Sequence, residues 1–236
     1  MKCRSIKAAF SLGIAFCVIS TITGCRQLNV GTKTYFELQQ GDLLFQDLDC
    51  GALCDAIEKV TSGYHGANFS HVGIAAKSKD DGMVVIEAVQ KGVAVTPLEI
   101  FLARSVDEKG MPKVMAGRLK PAYQGLVPSA VENAFALRGK PYDKVFEIGN
   151  EAYYCSELIY EIFLRANNNK PVFELSPMTF KDRVTGKTMA VWQEYFEKLD
   201  AAVPEGKPGI NPGGISRCDK LIVIKVYGKP AGLRDF

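Results

Sequence analysis

The feature that most constrains the fold is a pair of apolar segments of strand length that lie close together in the chain. Residues 71–76 and Met83–Val89 are rich in Val, Ile and Ala, and the polar residues 77–82 between them end in Asp-Gly. A turn of this composition between two apolar runs is typical of a β-hairpin. We therefore expect two adjacent antiparallel strands here.

Strands and helices are interspersed along the remaining chain. Apolar patterning predicts further strands at residues 42–45, 92–95, 113–119 and 220–227, and helices at residues 52–61, 155–163 and 191–199. Capping boxes at residues 96–99 and 129–132 predict two more helix starts, and Gly139 predicts the end of the second of these helices. This order favours the α+β class.

Composition and charge limit the classes of function. Hydrophobic residues make up 47% of the chain and charged residues 23%, which argues against a disordered, collagen-like or multi-span membrane protein. The formal charge of +3 equals the three charges of Lys2, Arg4 and Lys7, so the chain after residue 24 is formally neutral. A neutral chain gives no electrostatic support for nucleic-acid binding, and we expect no nucleic-acid partner.

The first 25 residues are typical of a secretion signal that ends in a lipid-attachment site. A basic start and the apolar residues 8–20 precede Ile22-Thr23-Gly24-Cys25, which is similar to a bacterial lipobox. The apolar run is shorter than the roughly 20 residues of a membrane span. We therefore expect a signal peptide at residues 1–24, a lipidated tether at 25–39 and a folded domain at 40–236. A simple signal peptide or an uncleaved anchor are the alternatives.

This leader predicts an extracytoplasmic protein held at a membrane through lipid on Cys25. Arg26 rather than Asp follows the cysteine. In a Gram-negative cell, the lipoprotein sorting rule then implies the outer membrane, facing the periplasm.

Four cysteines remain in the predicted domain: Cys50, Cys54, Cys155 and Cys218. The predicted compartment permits disulfides, and four cysteines allow three complete pairings. The Cys50–Cys54 spacing could suggest a metal site, but no second Cys or His pair at zinc-like spacing follows it, and we expect no metal. A helix-facing pair and a disulfide with Cys218 are the other interpretations.

Cys155 is a candidate nucleophile because it lies at the first turn of a predicted helix. The apolar stripe of that helix consists of Leu158, Ile159, Ile162 and Phe163. Backbone N–H groups and the helix dipole at this end favour a thiolate, and the same amides can hold an oxyanion. A buried structural cysteine is the alternative.

His71 and Glu87 are the candidate base and its partner. His71 shares a strand face with Gly73 and Ala75, two small residues that leave space for another group. If the hairpin turns about Lys79, His71 lies directly opposite Glu87, and the carboxylate can orient the imidazole. A slip of one residue would turn Glu87 to the other face.

Two further residues lie in segments that could contribute to the site. His65 lies in a Gly-rich loop, where a position near the site or simple solvation are both open, and we do not expect it to be catalytic. Tyr142 follows Gly139-Lys140-Pro141 and lies 13 residues before Cys155. These residues need be no more than a helix stop and a turn, but a phenol near the nucleophile could donate to an oxyanion.

Together these motifs resemble the YiiX-like family of circularly permuted, NlpC-type papain-like cysteine hydrolases. The resemblance rests on Gly41-Asp42-Leu43-Leu44-Phe45, Ser70-His71-Val72-Gly73-Ile74, Val85-Ile86-Glu87-Ala88, Gly139-Lys140-Pro141-Tyr142 and Tyr154-Cys155-Ser156-Glu157-Leu158-Ile159-Tyr160. The histidine precedes the cysteine, as permutation requires. Glu157 stands where many unpermuted relatives have Gly, which bears on how substrate fits beside the nucleophile.

The resemblance implies a permuted papain-like hydrolase fold for residues 40–236, with an antiparallel sheet or small barrel packed with helices. It also implies that Cys155 attacks an acyl carbon, that His71 transfers the proton and that Glu87 orients His71. Tyr142 and the amide of Cys155 would serve the oxyanion, without a metal or cofactor. The expected function is a membrane-tethered hydrolase of amide bonds in peptidoglycan peptides. A lipid or N-acyl hydrolase or acyltransferase, and a non-catalytic binding lipoprotein, are the alternatives.

Overall fold

The computed structural model describes residues 38–80 and 82–234, and a six-stranded antiparallel sheet lies at the centre of this part of the chain. The strands are β1 (Leu43–Gln46), β2 (His71–Lys77), β3 (Met83–Val89), β4 (Gly92–Pro97), β5 (Val114–Leu119), β6 (Ser176–Pro177), β7 (Pro208–Gly209) and β8 (Leu221–Val226). The order across the sheet is β4-β3-β2-β1-β5-β8, and β6 and β7 pair separately. The predicted α+β class with an antiparallel sheet is confirmed.

Seven helices accompany the sheet in the described residues. They are α1 (Ala52–Val60), α2 (Leu98–Ala103), α3 (Pro121–Gln124), α4 (Val127–Ala136), α5 (Cys155–Ala166), α6 (Ala190–Lys198) and α7 (Pro212–Ser216). Helix α5 packs against β2 and β3, with α4 beside it. None of the helices in residues 38–80 and 82–234 has the length and hydropathy needed to cross a membrane.

The central strands are apolar on both faces because each face has its own core. The larger core lies between the sheet and α4 and α5, and includes Phe45, Val72, Ile74 and Ile86. The smaller core covers the opposite face, where Leu44 and Val85 pack with Phe101 of α2. Leu38, which belongs to the predicted tether, is buried in this second core, so the packed fold includes it.

A third apolar cluster joins α1 to α6. Its five rings, called here the aromatic cluster, are Phe146, Phe180, Trp192, Tyr195 and Phe196. Phe146 also contacts the ring of Tyr154 edge-on, at 5.3 Å between centroids. Since Tyr154 immediately precedes α5, the aromatic cluster fixes the α6 region next to the start of that helix.

The register of the β2–β3 hairpin differs from the prediction by two residues. A hairpin that turns about Lys79 would pair Ala76 with Gly82. Ala76 instead pairs with Val84, because β2 continues through Lys77 before the chain turns. The prediction that His71 lies directly opposite Glu87 is therefore wrong. A shift of two positions preserves the face on which each side chain lies, so the two side chains still share a face of the sheet.

Both predicted capping boxes are wrong, for reasons of local backbone structure. Thr96 lies within β4, and α2 begins at Leu98 after Pro97. Ser129 lies inside α4, which starts at Val127 with a proline in its first turn. The helix-start signal was correct about the region in each case, but it misplaced the first residue of the helix.

The cysteine pairing is also resolved by the structure. Cys50 and Cys54 form a disulfide with each other across the start of α1, with 5.4 Å between their Cα atoms. The interpretation that pairs one of them with Cys218 is therefore wrong. Cys155 and Cys218 are free thiols.

Candidate active site

Cys155 is the first residue of α5, as predicted from its helix stripe. The first backbone N–H groups of a helix have no partner within the helix, and their dipoles favour a negative charge at this end. The backbone N–H of Val72 donates to the Cys155 sulfur, and the Ser156 hydroxyl lies 3.7 Å from it. The sulfur is thus surrounded by groups that stabilise a thiolate.

His71 lies between Cys155 and Glu87. Its Nε2 is 2.6 Å from Glu87 Oε2, and its ring also forms a hydrogen bond with Cys155. Because Nε2 is occupied by the carboxylate, Nδ1 is the nitrogen left for the sulfur. The predicted site residues Cys155, His71 and Glu87 therefore come together as a continuous hydrogen-bonded row.

Glu87 is fully buried, and its carboxylate is held by four donors. His71 and Arg104 Nη1 contact Oε2, the latter at 2.7 Å. Thr96 Oγ1 donates to Oε1 at 2.5 Å, and Arg104 Nη2 donates to the same oxygen. Both carboxylate oxygens are therefore saturated by protein groups.

Sequence reasoning missed Thr96 and Arg104. Thr96 was assigned to a helix cap, and Arg104 follows a mostly apolar helix 17 residues after Glu87. The available signal was Glu87 itself, since a charge in an apolar strand requires a partner. A search for a cation downstream of Glu87 would have offered Lys91 and Arg104.

The pKa values of the three groups shift in the directions that favour an ion pair. Burial opposes the imidazolium, but hydrogen bonds to Cys155 and Glu87 outweigh it and raise the pKa of His71 from 6.5 to about 9. Burial also opposes the carboxylate, but donation from His71 and Arg104 lowers the pKa of Glu87 from 4.5 to about 2. Burial likewise opposes the thiolate, yet contact with His71 lowers the pKa of Cys155. Cys155 and His71 therefore titrate as one unit.

Tyr142 lies close enough to Cys155 for the charge of the thiolate to act on its phenol. Burial, reinforced by the negative charge of Cys155, raises the pKa of Tyr142 well above its usual value of 10. The backbone N–H of Tyr153 donates to Pro141 O at 2.9 Å and ties this segment to the start of α5. The phenol therefore stays protonated and can act as a hydrogen-bond donor.

Glu157, which we expected to affect substrate fit, points into the protein. It is 1% exposed, and its carboxylate accepts hydrogen bonds from the backbone N–H groups of Gly149 (3.2 Å) and Tyr154 (3.4 Å). Burial raises the pKa of Glu157 from 4.5 to about 8, with a further contribution from nearby Asp143. This side chain fixes the loop before α5 and keeps that loop against the helix start.

The remaining candidates lie elsewhere. His65 is exposed in a 3₁₀ turn, where its ring packs on Tyr64 and its carbonyl accepts from the backbone N–H of Arg234 at 3.1 Å. Cys25 and the predicted leader lie outside the described residues. Within the site, Cys155 and His71 are only 7% and 6% exposed, so both residues are almost enclosed.

Comparison with known proteins identifies the family. Residues 37–225 match the model of a family described as permuted papain-like amidase enzymes, the YaeF/YiiX or C92 family. The chain belongs to this family. Membership confirms the permuted papain-like fold and supports a hydrolase of the amidase type.

Two YiiX proteins from Escherichia coli illustrate the likeness. The uncharacterized protein YiiX of strain K12 is 28% identical over 128 residues, which cover 54% of this chain and 58% of that protein. The chain thus matches less than two thirds of its curated relative. A crystal structure of YiiX from strain O157:H7 superimposes with a TM-score of 0.65 at 24% identity, covering 82% of this chain and 99% of that one.

The YiiX protein of strain O157:H7 is described as a metalloprotein. In residues 38–80 and 82–234 of this chain, no group of three or more His, Cys, Asp or Glu side chains is arranged to hold a metal ion. In addition, protein donors occupy both oxygens of Glu87, and the Nε2 of His71 faces that carboxylate. The donor set of the candidate site therefore does not fit a bound metal.

Proposed function

We propose that this chain is a cysteine amidase in which Cys155 is the nucleophile and His71 is the general base and acid. The single observation that carries the proposal is the hydrogen-bonded row Cys155–His71–Glu87 at the start of α5. A thiol activated by an imidazole, which is oriented in turn by a carboxylate, is the arrangement required for nucleophilic acyl transfer.

The proposed reaction uses the chain's own groups. The Cys155 thiolate attacks the carbonyl carbon of an amide, and the imidazolium of His71 gives its proton to the leaving amine. The backbone N–H of Cys155 and the hydroxyl of Tyr142 stabilise the oxyanion. His71 then takes a proton from water, which attacks the thioester, releases the acid and regenerates the thiol.

We further propose that the protein is lipid-anchored through Cys25 outside the cytoplasm and acts on amide bonds of cell-wall peptides. The pattern of residues 1–25 supports secretion and lipidation. The Cys50–Cys54 disulfide supports an oxidising compartment, where such bonds persist. In a Gram-negative cell this would be the outer membrane, facing the periplasm.

The test is product analysis with matched cysteine variants. Muropeptides and acyl lipids are incubated with the full chain, Cys155→Ser and Cys218→Ser, and the products are identified by mass spectrometry. We expect amide cleavage of muropeptides that Cys155→Ser abolishes and Cys218→Ser leaves unchanged. Release of fatty acid from the acyl lipids instead would favour the lipid or N-acyl hydrolase.

Thiol mapping tests the nucleophile without a known substrate. Burial raises the pKa of Cys218, so sub-stoichiometric iodoacetamide at about pH 6 should label Cys155 first. Label on Cys218 with Cys155 unreacted would refute the assignment of Cys155 as the nucleophile and favour a binding protein.

A separate experiment tests the lipid anchor. Labelled palmitate should attach to the chain and be lost in Cys25→Ala, and persistence of the label would exclude Cys25 as the lipid site.

A further inference from the structure

The candidate site contains a second cation besides His71. Arg104 follows α2 and places both terminal nitrogens of its guanidinium on Glu87. Its side chain is 27% exposed, whereas the carboxylate is fully buried. A paired geometry of this kind is the strongest hydrogen-bonded contact that an arginine makes with a carboxylate.

Arg104, Glu87, His71 and Cys155 therefore lie in a row in which each group contacts the next. When Cys155 and His71 form their ion pair, the charges along the row alternate: positive, negative, positive and negative. The total charge is then zero. A Cys–His ion pair beside a neutral third residue would be balanced without help, but a buried carboxylate adds a second anion that needs its own cation.

We propose that Arg104 is a positioning residue that balances the charge of Glu87, so that the buried site can hold the thiolate and the carboxylate together. This rests on the proposed roles of Cys155 and His71. Glu87 and Arg104 then act on His71 as a single neutral unit that orients the ring and partly screens the carboxylate. The extent to which Glu87 stabilises the Cys155–His71 ion pair therefore depends on Arg104.

The order of contacts predicts an unusual pattern of variants. In Glu87→Gln, two cations, Arg104 and the imidazolium, face each other without the anion between them, so the ion pair is disfavoured. In Glu87→Gln/Arg104→Gln the isolated cation is also removed, and the Cys155–His71 pair is balanced again. Since Arg104 is closer to His71 than to Cys155 along the row, its removal relieves the imidazolium more than it weakens the thiolate.

The measurement is the second-order rate of Cys155 alkylation at about pH 6, together with the pH profile of that rate. We expect Glu87→Gln to react about 100-fold more slowly than the unsubstituted protein. The double variant Glu87→Gln/Arg104→Gln should recover at least about tenfold of that loss. The matched control Glu87→Gln/Arg104→Lys keeps the cation and should show no recovery.

The outcome separates charge balance from mere packing. If Arg104 only fills space, the double variant will be as slow as Glu87→Gln or slower, and the proposal is refuted. Recovery by the Lys control as well would also refute it, because the cation would then be irrelevant. Thermal unfolding of each variant confirms that the comparison is between folded proteins. Alkylation needs no substrate, so these results stand apart from whether the amidase proposal fails on muropeptides.

Discussion

Replacing Glu157 by Gln should stabilise the protein at neutral and alkaline pH. The pKa of Glu157 in the folded chain is about 8, above the 4.5 of an unperturbed side chain, because its carboxyl group is buried at the start of α5. A raised pKa means that the folded state favours the protonated acid. The contribution of protonated Glu157 to the stability of the folded state is therefore complete below about pH 4.5, and it is lost as the pH rises through 8.

The magnitude follows from the two pKa values. Between about pH 5 and pH 7.5, this one group should cost the folded state about 3 kcal/mol. For a domain of this size, each kcal/mol changes Tm by about 2 to 4 °C, so the expected effect is about 6 to 12 °C. Gln does not ionise, and its carbonyl can still accept from the amides of Gly149 or Tyr154.

Thermal unfolding followed by far-UV circular dichroism from about pH 5 to pH 9 tests this reasoning. The Tm of Glu157→Gln minus that of the unsubstituted protein should increase with pH. Glu132→Gln is the control, because that carboxylate is exposed on α4 and should follow the unsubstituted protein at every pH. A Tm difference that is flat with pH would show that the two backbone donors and the helix start keep Glu157 ionised.

Three other substitutions or probes give direct predictions. Gly73→Ala would bring a Cβ atom within 2.5 Å of Val85 Cγ1, and urea unfolding should show a loss of about 1 to 3 kcal/mol; an unchanged midpoint would contradict this. Thr96→Val removes one donor from the buried carboxylate of Glu87, and kcat should fall about tenfold and recover in Thr96→Ser; full activity of the Val variant would show that the hydroxyl is dispensable. Trp192, the single tryptophan, lies in the aromatic cluster, so its fluorescence in urea should change no later than the circular dichroism of the sheet; a later fluorescence midpoint would show that the aromatic cluster outlasts the sheet and would contradict this.

Patterning was sufficient to predict the elements that carry the site. The apolar runs of β2 and β3 and the stripe of α5 depend on burial periodicity, which a sequence records directly. The hairpin register depends on where the turn begins, and β2 continues one residue beyond the polar boundary at Lys77. His71 and Glu87 nevertheless meet, because an error of two residues leaves both on the same face.

Side-chain partners that come from distant segments were the part that could not be predicted. Arg104 reaches Glu87 only because α2 folds back against β3 and β4, and no local motif records that approach. Glu157 illustrates the opposite error: its position after the nucleophile suggested contact with substrate, but α5 turns it inward. Position along a helix fixes the direction of a side chain only when the packing of the helix is known.

The enclosure of Cys155 and His71 sets a kinetic limit on any reaction at the sulfur. Because both residues are almost covered, we expect a reagent or substrate to reach the sulfur through an opening movement of neighbouring groups. At low concentrations of an alkylating reagent, the observed rate is the intrinsic thiolate rate multiplied by the open fraction. At high concentrations it reaches a plateau equal to the opening rate. The height of this plateau is a property of the protein alone, so it must be the same for chemically different reagents that use the same opening.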